Sequence, residues 1–247
     1  MKYALQSDKR IEATPKATGV CPCCGTQMIP KCGNRKVWHW AHKTKLTCDH
    51  WWENETQWHR DWKNQFPVEW QEVVHFAEDG EKHIADVKTN RDLVIEFQNS
   101  YLKREEIEAR SNFYEDIIWV VNSQRLKTDT YKLETLLERT HPAPKNEDYY
   151  YSRDRRWEIP TQWHSLKVPV FFDTGIEDWL IGHIPQRMEK FGFYKCHFLK
   201  KEYFIMFLNA SGRYRPLNMK VSPHNLLWEE GRDDFHFSHY PYLALES

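Results

Sequence analysis

Five of the six cysteines fall between Cys21 and His50, a stretch that also holds His39, His42 and His50 itself. Cys21 and Cys24 form a C-x-x-C pair followed by Gly25, a spacing that lets two thiolates of one tight turn reach a single Zn²⁺. Fourteen residues further on, "WHWAH" offers His39 and His42, and Cys48 lies six residues beyond. The spacing favours Cys21, Cys24 and His42 as ligands, with either His39 or Cys48 as the fourth; Cys23 and Cys32 are spares. A Zn²⁺ held by four protein ligands has no open position, so its expected role is structural. The alternative is a set of buried free thiols with incidental histidines. Clustering of this kind in a chain whose N-terminus has no apolar run points to metal rather than to disulfides.

A second constellation is acidic. Asp86 sits among Ile84, Ala85 and Val87, and Glu96 between Ile95 and Phe97. A carboxylate in the middle of a buried strand is costly unless it is paired or metal-bound. Glu96 and Gln98 are two residues apart and so share a strand face. Two carboxylates on adjacent strands can hold Mg²⁺ or Mn²⁺ through hard oxygens. Such an ion lowers the pKa of bound water and neutralises charge on a phosphoryl oxygen. The competing reading is two structural ion pairs, with Lys88 and Arg110 as partners. A carboxylate at Asp86 capped by either cation favours binding over catalysis. One shared with Glu96 near Glu55 favours catalysis.

These side chains need elements to position them. Trp51, Trp58, Trp62 and Phe66 recur at helical spacing and predict a helix over 52–66, with Glu55, His59 and Lys63 as a polar stripe. Pro67 ends it. Strands follow at 68–76, 82–89 and 91–100, the first two joined by a turn at Asp79-Gly80. A helix over 103–117 and a β-branched strand over 116–122 complete an αβββαβ order.

The residues "CPCC…G…WHWAH…C", "ENETQWHRDWK", "HIADV", "IEFQNS" and "R…Y…IIWVV" together resemble the competence-protein CoiA-like family, within the PD-(D/E)XK nuclease superfamily, over about residues 15–123. The resemblance implies metal-dependent phosphodiester hydrolysis. It makes Asp86 the metal-binding acid of the second strand and Glu96 that of the third. Gln98 stands where the superfamily has Lys, and Glu55 and His59 match the acid and histidine of the first helix. An amide cannot lend the positive charge of Lys. Activation then falls more heavily on the cation, or on a neighbour such as His59 or Lys63.

The overall expectation is an α/β protein: a zinc-ribbon-like module over 1–50, a PD-(D/E)XK core over 51–145, and an α+β region rich in aromatic strands over 160–247. A helix over 130–141 and a linker with a boundary near 145–160 join the last two. In the final region 166–175 reads as a strand into a turn. "IEDWLIGHIPQ" reads as a short helix or loop, and the segment through "KEYFIMFLNASGR" as strands with a turn. Asp173 reads as a turn cap without a partner. A continuation of the nuclease sheet into this region is one option; its role is open.

Net charge is −1, but residues 1–50 hold nine Lys/Arg against three Asp/Glu, a local excess that suits phosphate. DNA is the expected partner, with strandedness and oligomeric state left open. No run of eighteen apolar residues exists, so no membrane association and a cytoplasmic location are expected. The leading expectation is a Mg²⁺/Mn²⁺-dependent DNA nuclease with structural zinc. The alternatives are a non-catalytic DNA-binding accessory of competence or recombination, and a phage-defence nuclease.

Overall fold

The computed structural model describes residues 1–43, 48–51, 53–77, 80–139, 141–142, 150–152, 159–164, 166–175, 178–183 and 194–211. The first strands, β1 (Tyr3–Gln6), β2 (Lys9–Glu12), β3 (Gly19–Val20), β4 (Gln27–Lys31) and β5 (His39–His42), form an antiparallel sheet in the order β2-β1-β3-β4-β5. Its small core gathers Ala4, Met28 and Trp40 with the buried thiols Cys21 and Cys23. That is too little apolar surface to hold a sheet of this size alone. Ile84 and Val74 of the main sheet pack against it.

The main sheet follows. Helix α1 (Gln57–Lys63) leads into β6 (Gln71–Phe76), β7 (Lys82–Lys88) and β8 (Val94–Gln98). Helix α2 (Arg104–Tyr114) then returns the chain to β9 (Ile117–Asn122). β6, β7 and β8 are antiparallel neighbours, and β8 pairs parallel with β9 across the α2 crossover. This is the helix, three strands, helix, strand order read from the sequence. Five consecutive residues of β9, Ile117 to Val121, are buried because both faces of the sheet are covered. One face packs Ile107 and Tyr114 of α2 and Leu133 of helix α3 (Lys127–Arg139) on Trp119 and Val121. The other packs Trp62 of α1 on Ile95, Phe97 and Val120.

The sheet does not stop at β9. After β10 (His141–Pro142) and β11 (Tyr150–Ser152), β12 (Val170–Asp173) pairs parallel with β9. β13 (Trp179–His183) and β14 (Tyr194–Lys200) extend the sheet to nine strands, in the order β10-β11-β14-β13-β12-β9-β8-β7-β6. One sheet therefore spans the boundary expected near 145–160.

Two local expectations in this region are corrected. "WLIGH" is strand β13 rather than a helix or loop, paired on both sides. Gly182 permits this, since a Cβ there would come within 2.7 Å of the Phe171 ring. "KEYFIMFLNAS" is helix α4 (Lys201–Ser211) rather than strands. Its buried Phe204 and Leu208 are four residues apart, a helical repeat that aromatic richness masks, and they join the face that holds Trp62.

Helix α1 is shorter than the expected 52–66. Thr56 caps it with a capping box: its side chain accepts from the His59 N–H, and the His59 ring accepts from the Thr56 N–H. Glu55 therefore lies before the helix, not on its stripe, and Trp51 stacks on His83 at 3.4 Å between ring centroids. Asp173 is not partnerless, because the indole N–H groups of Trp58 and Trp62 donate to its Oδ2 at 2.9 and 2.8 Å. Asp79 of the expected turn and the residues beyond 211 lie outside the described residues. Among the described residues, no helix is long and apolar enough to cross a membrane.

Candidate functional site

Two donor sets face one another across the junction of the sheets. In the N-terminal module, the Gly25 N–H donates to the Cys21 carbonyl, and Gly25 takes φ +70, closing the C-x-x-C turn. β5 carries His42 to this turn, and Cys48 completes the set, all four ligand atoms lying within 4.8 Å of one another. Cys21 Sγ is 3.6 Å from Cys48 Sγ, and His42 Nε2 is 3.4 and 3.6 Å from the sulfurs of Cys24 and Cys48. Zinc–sulfur bonds of ~2.3 Å and zinc–nitrogen bonds of ~2.0–2.1 Å put tetrahedral neighbours roughly 3.5–3.8 Å apart. The observed edges match that spacing, so these residues fit a tetrahedral metal ion. The position left open in the sequence goes to Cys48; His39 instead sets its Nδ1 2.8 Å from the Val37 carbonyl. Burial and neighbouring thiols push the Cys48 thiol well above its usual range, a crowding that a cation would reverse.

The acidic set lies at the junction of β7 and β8. Val87 faces Ile95 and Lys88 faces Val94 in the ladder, and the same register carried one step on puts Asp86 opposite Glu96. There the side chains replace the backbone ladder. The Asp86 N–H donates to Glu96 Oε1 at 3.1 Å, and the Phe97 N–H to Asp86 Oδ2 at 3.0 Å. Like charges directly opposite on a sheet repel. Burial, then the Asp86 charge, push the Glu96 carboxyl up to about 8 against the pull of Arg110.

Around this pair the site is layered. Gln98 is buried and donates to Glu53, and its Nε2 also reaches the Ser100 carbonyl at 3.0 Å. Ser100 Oγ donates to the same Glu53 oxygen at 2.6 Å. His59 accepts at Nδ1 from the Thr56 N–H, so the neutral ring carries its proton on Nε2, 3.8 Å from Glu53 Oε2. Burial lowers the His59 pKa despite nearby Asp86. Lys63 is buried with its ammonium 2.9 Å from both Glu55 and Glu72 and 3.6 Å from Asp86 Oδ1. Burial opposes that charge, but the three carboxylates win and raise its pKa. Burial pushes Glu55 and Glu72 up, but the Lys63 ammonium outweighs it and holds both carboxyls below the usual carboxylate range.

Asp86, Glu96, Gln98, Glu55 and His59 all line one cavity of about 230 Å³, together with Glu53, Lys63, Glu72 and Arg110. His42 and Cys48 line it from the other side. Of the cations considered for Asp86, Lys88 pairs with Asp92 at 3.1 Å and Arg110 approaches Glu96 at 3.6 Å. Neither caps Asp86, whose cationic neighbour is Lys63.

Sequence reasoning did not single out Glu53, Glu72, Asp49 or His83. Glu72 lies opposite Asp86 in the β6–β7 register and takes φ +47, strained for a residue with a side chain. Its signal was a polar pair, Gln71-Glu72, opening an otherwise apolar strand. Glu53 gave no signal beyond an acidic "ENE". Asp49, His50 and His83 form another compact donor set. There, however, Asp49 already accepts from the Trp51 and Ile84 N–H groups at 2.9 Å each, and lies 2.8 Å from His83 Nδ1.

Two family models match the chain: competence protein CoiA, N-terminal domain, over residues 4–50, and competence protein CoiA, nuclease-like domain, over residues 82–166. No curated protein and no solved structure matches. The first model covers the cysteine turn and β5; the second begins at β7 and takes in Asp86, Glu96 and Gln98.

Proposed function

From the premise that this chain belongs to the competence protein CoiA family and carries its nuclease-like domain, we propose that it hydrolyses phosphodiester bonds in DNA with a divalent cation, Mg²⁺ or Mn²⁺, held by Asp86 and Glu96. The observation that carries this reading is the register of β7 and β8. It sets two carboxylates face to face at a break in the ladder, inside a cavity, with Asp86 about one-quarter exposed. The helix, three strands, helix, strand order around them supports a PD-(D/E)XK core. The Cys21/Cys24/His42/Cys48 set is read as structural zinc, with no position left for chemistry.

A divalent cation bound there supplies Lewis acidity and a lowered pKa for water. The chain's own groups do the rest. Lys63 brings a permanently charged ammonium next to Asp86 from helix α1, the charge that Gln98 cannot supply from the strand. Gln98, clamped by Glu53 and Ser100, has a fixed amide that can orient water. His59 presents Nε2–H, a neutral donor suited to a phosphoryl oxygen or to the leaving group. Glu55, bound to Lys63 and Arg60, acts by holding Lys63; Glu53 is the acid that faces Gln98 and His59.

The second reading is a DNA-binding accessory. The observation favouring it is the buried Lys63 ammonium shared by Glu55, Glu72 and Asp86, which satisfies part of the site without a metal cation.

The deciding experiment incubates the protein with plasmid and with linear single-stranded DNA plus Mn²⁺, beside Asp86→Ala and Glu96→Ala. Cleavage by the wild type that both variants lack is expected. Equal cleavage by all three, or none by any while DNA is still bound, overturns the catalytic reading.

A further inference from the structure

Residues 48–51 and 53–55 join the two donor sets directly. Cys48 belongs to the cysteine set. Asp49 is held to β7 through the Ile84 N–H, two residues ahead of Asp86. The Trp51 carbonyl accepts from Arg110 Nη2 at 2.8 Å, and the same guanidinium lies 3.6 Å from Glu96. Glu53 accepts from Gln98. Glu55 binds Lys63, which lies 3.6 Å from Asp86. Asp49, Trp51, Glu53 and Glu55 thus each touch β7 or a member of the acidic site.

The described residues of this segment belong to no helix or strand. At one end the Thr56 cap of α1 fixes it. At the other its covalent neighbour is Cys48, whose place is defined by Cys21, Cys24 and His42. We propose that metal held by Cys21, Cys24, His42 and Cys48 anchors this strap, and that Cys48 is thereby a positioning residue for Gln98, Glu96 and Asp86. The soft-metal centre then sets the geometry of the hard-cation centre, in the way outer-shell partners set that of ligands. The Mn²⁺ arm of the test rests on the nuclease reading; the exchange arm does not.

The test uses the full chain. A mercurial and a chelator strip the thiolate-bound metal, the thiols are restored, and half the sample receives one equivalent of Zn²⁺. Mn²⁺ affinity is measured by paramagnetic resonance, and amide exchange is followed over 48–55, 94–100 and 170–173. Stripping is expected to weaken Mn²⁺ binding by about ten-fold or more and to deprotect 48–55 and the end of β8. β12 should stay protected, and Zn²⁺ should restore both signals. Cys48→Ser should reproduce the stripped state, whereas Cys32→Ser, outside the set, should not. Unchanged exchange at 94–100, or exchange rising equally in β12, overturns the proposal. Mn²⁺ affinity within about two-fold of the loaded protein's overturns it as well. A fully loaded protein that binds no Mn²⁺ counts against the nuclease reading alone, and the exchange pattern then decides the strap.

Discussion

The cysteine–histidine set and the carboxylate set solve the same problem by different means. Each crowds groups that repel as anions, and each lines the same cavity. The first does so mainly through short-range chain geometry: a four-residue knuckle, one histidine on β5, and a cysteine six residues later. The second depends on register. Asp86 and Glu96 meet only because β7 and β8 pair as they do, and Lys63 and Glu72 arrive from a helix and a third strand. The thiols have few other partners, whereas the carboxylates already share a buried ammonium. The first centre is thus a set of thiols and an imidazole that could hold a metal, while the second is partly satisfied before any cation arrives.

The sharpest break in the comparison is to remove each centre's partner. Cys21→Ser/Cys24→Ser should abolish bound zinc and unfold the five-stranded sheet, since structural zinc contributes on the order of 10 kcal/mol to such modules. Metal analysis and amide exchange should show that loss with β9 and β12 still protected. Unchanged zinc content would reject the site.

Lys63→Met is next. It leaves Glu55 and Glu72 buried without their shared cation and should cost about 3–5 kcal/mol in denaturant unfolding. Adding Glu72→Gln should recover part of that.

A smaller, pH-dependent difference isolates the acidic pair. Glu96 has a folded pKa raised to about 8 from 4.5. Its contribution is therefore fully present below pH 4.5 and lost as pH rises through 8. His59, lowered from 6.5, and Cys24, lowered to about 6, pull the other way in part of that window. The readout is thus the difference between wild type and Glu96→Gln without added divalent cation. Wild-type stability relative to the variant should fall between pH 5 and 8, and Mn²⁺ should offset the fall at pH 8. A flat difference would mean that Glu96 is not desolvated beside Asp86. The smallest effect belongs to His39→Ala, which should leave zinc content unchanged and stability within about 0.5 kcal/mol.

The same contrast explains what the sequence disclosed. C-x-x-C and "WHWAH" were legible because ligand spacing is local. The choice between His39 and Cys48 was not, because it depends on where the chain after β5 returns. Asp86 and Glu96 were legible as charges inside apolar strands. Glu53 and Glu72 were not, since an acid before a helix cap and one opening a strand are ordinary surface patterns until tertiary contacts bring them to Lys63 and Gln98. Thr56 shortened α1 through a cap that "ENETQWH" does spell, T-x-x-H in place of T-x-x-E, with imidazole doing the work of the carboxylate. Beyond β9, β13 was misread because burial on both faces erases the alternation that marks a strand, and α4 because its aromatic residues mask the four-residue repeat of Phe204 and Leu208.

The most direct measurement is anomalous diffraction at the manganese edge from crystals soaked in Mn²⁺. The account predicts a peak bridging the carboxylates of Asp86 and Glu96 beside Gln98, absent from Asp86→Ala crystals. An empty site there at saturating Mn²⁺, with Lys63 still bridging Glu55 and Glu72, would contradict it.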